Sequence, residues 1–321
     1  MKDFSGKLAV ITGGGTGMGR ELARALSAEG CRIAMCDVSE ENMRETQRLC
    51  AQVSKVEVTT HRCDVSNEEQ VIAFRDAVVE AHATDHINLL FNNAGIGGGG
   101  SFIVDERSEW ERTFGVCWFG VYYCARAFMP LLVNSTEGYI VNTSSVNGFW
   151  ATLGPQIAHT AYSAAKFAVK GFSEALVTDL RLNAPHVKVA VVMPGHIGTS
   201  IAINTGKVLG RAAPKDMSAA EIAVIRKRMV ERGFPVGNET DDQIRAAIQQ
   251  QAADFRDKAP TTAAQAANII LDGVRNDRWR ILVGDDAHVL DRMVREAPER
   301  AYEADFLTTL RGEGHLSSIT R

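Results

Sequence analysis

The sequence predicts an α/β fold in which helices cover both faces of a doubly wound parallel sheet of seven strands. Short β-rich runs alternate with longer helical patterns through the first 195 residues, and several of these runs are almost continuously apolar. Such alternation is typical of stacked βαβ units, and continuous apolar runs are typical of strands buried on both faces. The predicted strands are residues 8–11, 32–36, 56–62, 87–91, 139–142, 187–193 and 280–283.

A long helical segment separates the last two predicted strands. Ser218 and Glu221 form a capping-box pattern at the start of one helix, and two further helical patterns follow before the last strand. The sequence shows neither an internal repeat nor a linker-like boundary. We therefore expect a single domain over 1–321, with a helical substrate cap inserted at 200–262 and a C-terminal extension at 285–321.

Composition excludes several classes of partner. The net charge of the 321 residues is −4, whereas nucleic-acid-binding proteins usually present clustered basic side chains, so no nucleic acid is expected. The six cysteines lack metal-ligand spacing, which predicts buried free thiols and no metal site. There is no signal-peptide pattern, and no apolar stretch approaches the roughly 20 residues that span a bilayer. A cytoplasmic protein that does not enter the membrane is expected.

A glycine-rich turn, Thr12-Gly13-Gly14-Gly15-Thr16-Gly17-Met18-Gly19, joins the first predicted strand to a helix. Glycines in this position let the backbone approach a pyrophosphate at the helix N-terminus, where free N–H groups favour negative charge. Asp37, followed by Val38, ends the second strand. Its carboxylate can accept hydrogen bonds from the adenosine ribose and would repel the extra phosphate of NADP. The pattern predicts a dinucleotide site and favours NAD over NADP.

The glycine-rich turn and four later motifs resemble those of the short-chain dehydrogenase/reductase family, in the family's order. The later motifs are Asn92-Asn93-Ala94-Gly95, Asn142-Thr143-Ser144-Ser145, Tyr162-Ser163-Ala164-Ala165-Lys166 and Pro194-Gly195-His196-Ile197-Gly198-Thr199. Asp64 and Val65 after the third strand are similar to the pair that contacts adenine in that family. The resemblance implies a Rossmann-type fold that binds a nicotinamide dinucleotide.

The same resemblance implies which residues hold the cofactor and which act on the substrate. The implied catalytic residues are Ser145, Tyr162 and Lys166; of the two adjacent serines, Ser145 is in the family register. Tyr162 and Lys166 also belong to the implied cofactor site. Its other members are Gly13, Gly15, Thr16, Gly17, Met18, Gly19, Asp37, Val38, Asp64, Val65, Asn93, Ala94, Gly95, Pro194, Ile197 and Thr199.

The spacing of Tyr162 and Lys166 agrees with this chemistry. Residues four apart share one face of a helix, where an ammonium group can lower the pKa of a phenol from about 10. Such a tyrosine can exchange a proton with an alcohol or ketone oxygen while hydride passes between the carbinol carbon and nicotinamide. Lys166 would also hold the nicotinamide ribose, and the Ser145 hydroxyl would hydrogen-bond the substrate oxygen.

Cys117 departs from the family pattern. The family usually carries an asparagine here, in a segment like VNxxG, which helps to hold a proton-relay water, whereas this chain has a cysteine. A thiol is a poor donor and acceptor for that task. Either another group rebuilds the relay, or catalysis is impaired, or the protein has a different function.

Two features near the motifs each allow two interpretations. His159, three residues before Tyr162, is interpreted as a solvated loop histidine, with a place at the substrate entrance as the alternative. The four consecutive glycines at 97–100 predict a mobile rim loop, or an opening that admits a bulky substrate.

The expected function is oxidation of a secondary alcohol, or reduction of a ketone, with NAD. A cap rich in Ile, Ala, Met and Phe favours a bulky, apolar substrate, steroid-like or aromatic. One alternative is an NADPH-dependent carbonyl reductase, and another is an NAD-binding protein without turnover. Because relatives commonly pair two of their helices between subunits, the resemblance also implies a homodimer or homotetramer.

Overall fold

The computed structural model describes residues 1–154, 157–231, 237–306 and 308. The strands are β1 (Leu8–Thr12), β2 (Arg32–Asp37), β3 (Val58–Arg62), β4 (Leu89–Asn92), β5 (Gly138–Thr143), β6 (Val187–Pro194), β7 (Ile197–Gly198), β8 (Thr261–Thr262) and β9 (Arg280–Val283). The helices are α1 (Gly17–Ala28), α2 (Glu40–Val53), α3 (Glu68–Ala81), α4 (Arg107–Phe114), α5 (Gly120–Val133), α6 (Thr160–Asn183), α7 (Ile201–Val208), α8 (Ala219–Glu231), α9 (Asp241–Asp257), α10 (Ala263–Arg275) and α11 (Asp285–Glu296).

Seven strands form one parallel sheet in the order β3-β2-β1-β4-β5-β6-β9. This confirms the predicted α/β fold and all seven strands. The bounds differ from the prediction by at most two residues; for example, the fourth strand begins at Leu89 rather than at residue 87. Starting from β1, the chain adds β2 and β3 on one side of the sheet and then β4, β5, β6 and β9 on the other. The point between β1 and β4 where the order reverses is a topological switch point, and parallel sheets bind ligands in the crevice at such a point.

Helices cover both faces of the sheet. Along β1, Ala9 and Ile11 pack with α1, α2 and α10, while Leu8 and Val10 pack with α3, α5 and α6 on the other face. Successive side chains of a strand point to opposite faces, so a strand buried on both faces must be apolar throughout. The continuous apolar runs in the sequence have this cause.

A second, two-stranded sheet was not predicted. β7 pairs in parallel with β8, Ile197 opposite Thr261 and Gly198 opposite Thr262. Helices α7, α8 and α9 lie between these two strands in the chain. The predicted capping box forms at the start of α8, where the Ser218 amide donates to Glu221 Oε2 at 2.7 Å and the Glu221 amide donates to Ser218 Oγ at 3.3 Å.

Helices α4 and α5 are joined by a π-helical turn, Gly115–Phe119, into one run of 27 residues. By length and composition, this run could cross a membrane, so the expectation that no apolar stretch approaches 20 residues was wrong. Half of its most apolar window is buried within the fold. The run is apolar because it packs in the core: Cys124, Phe128 and Leu132 of α5 belong to the core on one face of the sheet. Buried helices of globular folds have the same apolar composition.

The segment after α11 packs on the chain itself. The indole of Trp150 donates to the carbonyl of Ala301 at 2.7 Å, and its ring lies 5.9 Å from that of Phe306. Val146 and Leu290 belong to the same small apolar cluster. The described part of the predicted C-terminal extension therefore covers the loop that follows β5.

Candidate active site

The glycine-rich turn lies between β1 and α1 and packs closely against the segment after β4. Gly13 has a positive φ of 65°, and a Cβ on it would lie 2.9 Å from Ala94 Cα. Thr16 caps α1 without using its side chain, and the first turn of α1, which is fully described, holds no acidic residue. A helix N-terminus that follows three consecutive glycines and has no acidic side chain in its first turn fits an anionic group such as a pyrophosphate.

The Asn92-Asn93-Ala94-Gly95 segment is held on β1 by Thr12. Thr12 Oγ1 accepts from the amides of Asn93 and Ala94, each at 3.0 Å, and Asn93 Nδ2 donates to the Thr12 carbonyl at 3.1 Å. Asn92 Nδ2 donates to Asn142 Oδ1 at 2.8 Å. These bonds join the carboxyl ends of β1, β4 and β5 into one rigid edge.

Asp37 is the last residue of β2, and Asp64 lies two residues after β3, on the same side of the switch point. Asp37 accepts from the amides of Gly15 and Ser39, each at 3.0 Å. Burial raises the pKa of Asp37, and these two bonds oppose that rise. Asp64 pairs with Arg112 of α4 at 2.6 Å, and the pKa of Asp64 is lowered by Arg112 and Ser66 against the effect of burial. Beside them, Val38 is exposed and Val65 is buried.

Three predicted catalytic residues meet where β5 ends beside α6. The Ser145 side chain lies close enough to the phenol of Tyr162 to lower the pKa of that phenol against the effect of burial, and Ser145 Oγ accepts from the amide of Asn147 at 3.1 Å. Lys166 Nζ lies 5.4 Å from the centre of the Tyr162 ring and donates to the Thr143 carbonyl at 2.8 Å. The three side chains therefore converge on one point.

Ser144 is directed elsewhere. Its Oγ donates to the main-chain carbonyl of Lys166 at 2.7 Å, which ties the end of β5 to α6. Successive residues of an extended chain point to opposite sides. The geometry thus brings Ser145, and not Ser144, to Tyr162.

Burial governs the acidities of Tyr162 and Lys166. It raises the pKa of Tyr162; Cys117 raises it further, while the hydrogen bond from Ser145 lowers it. Burial also lowers the pKa of Lys166. For the chain without a bound cofactor, the pKa of Tyr162 is thus raised and not lowered as expected, because desolvation of the buried phenol is the largest influence on it.

The segment 194–199 closes the site from the side of β6. Pro194 ends β6, Ile197 is buried, and Thr199 lies against α1, with its Cγ2 3.1 Å from where a Cβ on Gly17 would stand. The His196 ring is buried, donates from Nε2 to the Phe255 carbonyl at 2.7 Å, and lies 4.4 Å from the Phe255 ring. The segment thus connects the glycine-rich turn to α9.

His159 and the glycine run differ from their interpretation. His159 is half-buried, its ring lies 4.7 Å from that of Tyr162, and desolvation lowers the pKa of His159 to about 4, so it packs beside Tyr162 and is not fully solvated. The carbonyls of Gly99 and Gly100 accept from the amides of Ala161 and Thr160 at 3.0 and 2.9 Å. The run is thus pinned to α6 and is not a free rim. For His159, the only signal in the sequence was its spacing of three residues from Tyr162.

Cys117 lies in the π-helical turn and is fully buried. Its Sγ donates to the Ile96 carbonyl at 3.2 Å and accepts from the Ile96 amide at 3.5 Å. The thiol therefore fixes the backbone that follows the Asn92–Gly95 segment. All six cysteines are free and buried, and among the described residues no group of His, Cys, Asp and Glu has metal-binding geometry.

Comparison with known proteins identifies the family. A family model described as short chain dehydrogenase matches residues 7–210, which include every predicted catalytic residue. This protein is a short-chain dehydrogenase/reductase. A protein of Mycobacterium tuberculosis described as the oxidoreductase SadH is 36% identical over 297 residues, 92% of each chain. The meso-2,3-butanediol dehydrogenase of Serratia marcescens is 32% identical over 69% of this chain and 88% of its own.

Solved structures of other short-chain dehydrogenase/reductases share the fold. One from Burkholderia phymatum, in complex with NAD, has a TM-score of 0.72 and 31% identity, and the match covers 93% of this chain and 96% of that one. A metagenomic short-chain oxidoreductase in complex with NADP has a TM-score of 0.54 and 32% identity, over 60% of this chain and 83% of that one. The family thus binds a nicotinamide dinucleotide, and its members differ in which one.

Proposed function

We propose that this short-chain dehydrogenase/reductase transfers hydride between NAD and a secondary alcohol or ketone. The observation that carries the proposal is the convergence of Ser145, Tyr162 and Lys166 beside the carboxyl end of β5. A phenol, a hydroxyl and an ammonium at one buried point suit proton exchange with a substrate oxygen. The oxidised nicotinamide, when bound, accepts hydride from the carbinol carbon and brings a positive charge.

Each of the three side chains has a separate task in this proposal. Tyr162 Oη takes the proton of the alcohol, or returns one to the ketone oxygen. Ser145 Oγ, oriented by the Asn147 amide, hydrogen-bonds the same oxygen as its charge changes. Lys166, fixed by the Thr143 carbonyl, holds the nicotinamide ribose and supplies positive charge next to the phenol. Because burial raises the pKa of Tyr162, deprotonation of Tyr162 needs both positive charges.

The remaining predicted residues form the proposed dinucleotide site. The pyrophosphate would be held by the glycine-rich turn, with Gly13, Gly15, Thr16, Gly17, Met18 and Gly19. The adenosine would be held by Asp37, Val38, Asp64 and Val65. The nicotinamide half would be held by Asn93, Ala94, Gly95, Pro194, Ile197 and Thr199. The preference for NAD over NADP is supported by Asp37, whose carboxylate is fixed beside the turn by Gly15. A carboxylate there repels a ribose phosphate.

Replacement of Tyr162 by Phe tests the chemistry. On any alcohol that the wild type oxidises, we expect kcat to fall at least a hundredfold while NAD still binds. Normal turnover of Tyr162→Phe would overturn the assignment. Steady-state kinetics with NADH and NADPH as separate reductants test the cofactor, and a higher kcat/KM with NADPH would favour the alternative of an NADPH-dependent carbonyl reductase.

We also propose that 200–262 forms a substrate cap on a single domain that spans 1–321, with 285–321 as an extension. Three contacts of α7 and the turn after it support this. Thr205 Oγ1 accepts from the Gly97 amide at 2.8 Å, Asn204 Nδ2 donates to Thr16 Oγ1 at 3.2 Å, and Arg211 pairs with Glu109. Helix α7 and the turn after it thus lie over the glycine-rich turn and the glycine run.

The proposed substrate is bulky and apolar, steroid-like or aromatic. The support is the apolar composition of the cap, whereas the name of the Serratia marcescens relative refers to a small diol. A panel of secondary alcohols that ranges from butanediols to sterols, with NAD and detection of cofactor reduction by absorbance, distinguishes the two. Activity on small diols alone would overturn the substrate proposal without affecting the proposed hydride transfer.

A homodimer or homotetramer is proposed on the basis of exposed aromatic side chains. Three aromatic side chains are each about 40% exposed: Phe119 on the π-helical turn between α4 and α5, Tyr122 on α5 and Phe167 on α6. Val121, Phe128 and Leu176, which could have served the same purpose, are buried. Sedimentation velocity of the wild type and of Phe167→Glu would test this. The six unpaired thiols support a reducing compartment such as the cytoplasm.

A further inference from the structure

A buried carboxylate outside the predicted site lies beneath the segment 194–199. Asp286, the second residue of α11, is only 4% exposed. Its Oδ2 accepts from the main-chain amide of His196 at 2.6 Å, and its Oδ1 accepts from the amide of Ala287 at 3.0 Å. Aspartates are almost never fully buried unless their charge is hydrogen-bonded or paired. The carboxylate therefore has a specific partner in the His196 amide.

The backbone on both sides leaves room for this carboxylate. A Cβ on Gly195 would collide with both oxygens of Asp286, and a Cβ on Gly284 would lie 2.5 Å from Oδ1. Gly284 has a φ of 97°, in the region that favours glycine. The N-terminal position on α11 adds a favourable dipole for the negative charge. Two glycines and a helix terminus thus accommodate one side chain.

The same segment is fixed from its other side. The His196 imidazole is hydrogen-bonded to the Phe255 carbonyl of α9, and Ile197 and Gly198 pair with β8. Asp286 is the contact that fixes the segment from the side of α11. Without it, the His196 amide would lose its acceptor, whereas the Gly195 amide would keep its bond to the Val283 carbonyl at 2.9 Å.

We propose that Asp286 is a positioning residue for the nicotinamide half of the dinucleotide. By holding the His196 amide, it orients the segment that carries Pro194, Ile197 and Thr199, without touching the cofactor. The inference rests on the proposed function, because it requires that this segment contact nicotinamide. It assigns a task to a charged group that the chemistry of Tyr162, Lys166 and Ser145 does not use.

The test compares two ligands that differ only in nicotinamide. Dissociation constants for NAD and for ADP-ribose are measured by calorimetry on Asp286→Asn, on the wild type, and on Asp285→Asn as the matched control. Asp285 is the exposed neighbour on the same helix. An asparagine keeps the volume but offers one acceptor oxygen to two amides, so a charge-assisted bond is lost.

We expect Asp286→Asn to weaken NAD binding about tenfold and to leave ADP-ribose binding within about twofold of the wild type. Asp285→Asn should change neither constant. In turnover, KM for NAD should rise more than kcat falls. A merely structural role would lower affinity for both ligands or for neither, and either result would overturn the inference.

A second variant acts from the opposite side of the contact. Gly195→Ala would push the carboxylate away from the His196 amide and should give the same separation of NAD from ADP-ribose. ADP-ribose binding also shows that each variant is folded. If the wild type binds ADP-ribose but gains nothing from the nicotinamide of NAD, the proposed function fails. If the wild type discriminates and both variants discriminate equally well, only the role of Asp286 fails.

Discussion

Replacing Cys117 by alanine should destabilise the protein more than replacing any other buried thiol on the same helical run. The Cys117 thiol serves both the amide and the carbonyl of Ile96, at 3.5 and 3.2 Å. Alanine leaves both buried backbone groups without this partner. Since thiol bonds are weak, each loss is placed at the low end of the usual range, at about 1 kcal/mol.

The lost sulfur adds about 1 kcal/mol of burial free energy, which brings the total to about 3 kcal/mol. For a chain of this size, 1 kcal/mol corresponds to roughly 2 °C in Tm, so Cys117→Ala should lower Tm by about 6 °C. Cys117→Ser keeps a donor and an acceptor and should lower it less. Differential scanning calorimetry measures these shifts.

Cys124→Ala is the matched control. Cys124 is equally buried in the same helical run, and among the described residues it makes no hydrogen bond to the backbone of another segment. Its replacement should cost only the transfer free energy of the sulfur, about 1 kcal/mol, or roughly 2 °C. Equal shifts in Tm for Cys117→Ala and Cys124→Ala would refute the argument that the thiol of Cys117 supports Ile96.

Two further predictions concern groups around the site. The pKa of His159 is lowered from 6.5 to about 4 in the folded chain, so the unfolded chain binds the extra proton between these values. The free energy of unfolding should therefore fall as pH falls from 6.5 toward 4, by about 1.4 kcal/mol per pH unit from this group. Urea titrations at several pH values should show this slope in the wild type and not in His159→Phe. Equal slopes in the two proteins would contradict the desolvation of the imidazole. Arg112→Ala removes the partner of Asp64 and should raise KM for NAD about fivefold with kcat little changed, as measured by steady-state kinetics. Arg107→Ala, which breaks an exposed pair with Glu111 on the same helix, is its control; an unchanged KM in Arg112→Ala would show that Asp64 does not support adenosine.

The sheet could be predicted from the sequence because its signals are local. The continuous apolar runs that mark β1 and β6 follow from burial on both faces, and the glycine-rich turn marks the passage from β1 to α1. The convergence of Tyr162 and Lys166 was predictable for the same reason, since a spacing of four fixes neighbours on a helix. These features need no knowledge of distant contacts.

Other features of the site depend on distant contacts and could not be predicted. Asp286 meets His196 across 90 positions of sequence, and nothing near Asp286 indicates its partner. The glycine run at 97–100 suggested mobility, because a sequence shows the freedom of a glycine but not the hydrogen bonds that remove it. The acidity of Tyr162 was misjudged because spacing reveals a neighbouring charge but not the loss of water around the phenol.

The short pairing of β7 with β8 has a consequence for how this protein can vary. The two strands bring residues 197 and 198 beside residues 261 and 262, so the chain between them begins and ends at one place on the core. The entropy of closing such a loop grows only slowly with its length. Helices between these strands can therefore be lengthened, shortened or exchanged for others at little cost to the sheet. A chimaera joined at this pair that keeps the contacts of Asn204 with Thr16 and of Phe255 with His196 should keep its cofactor affinity while its choice of alcohol changes.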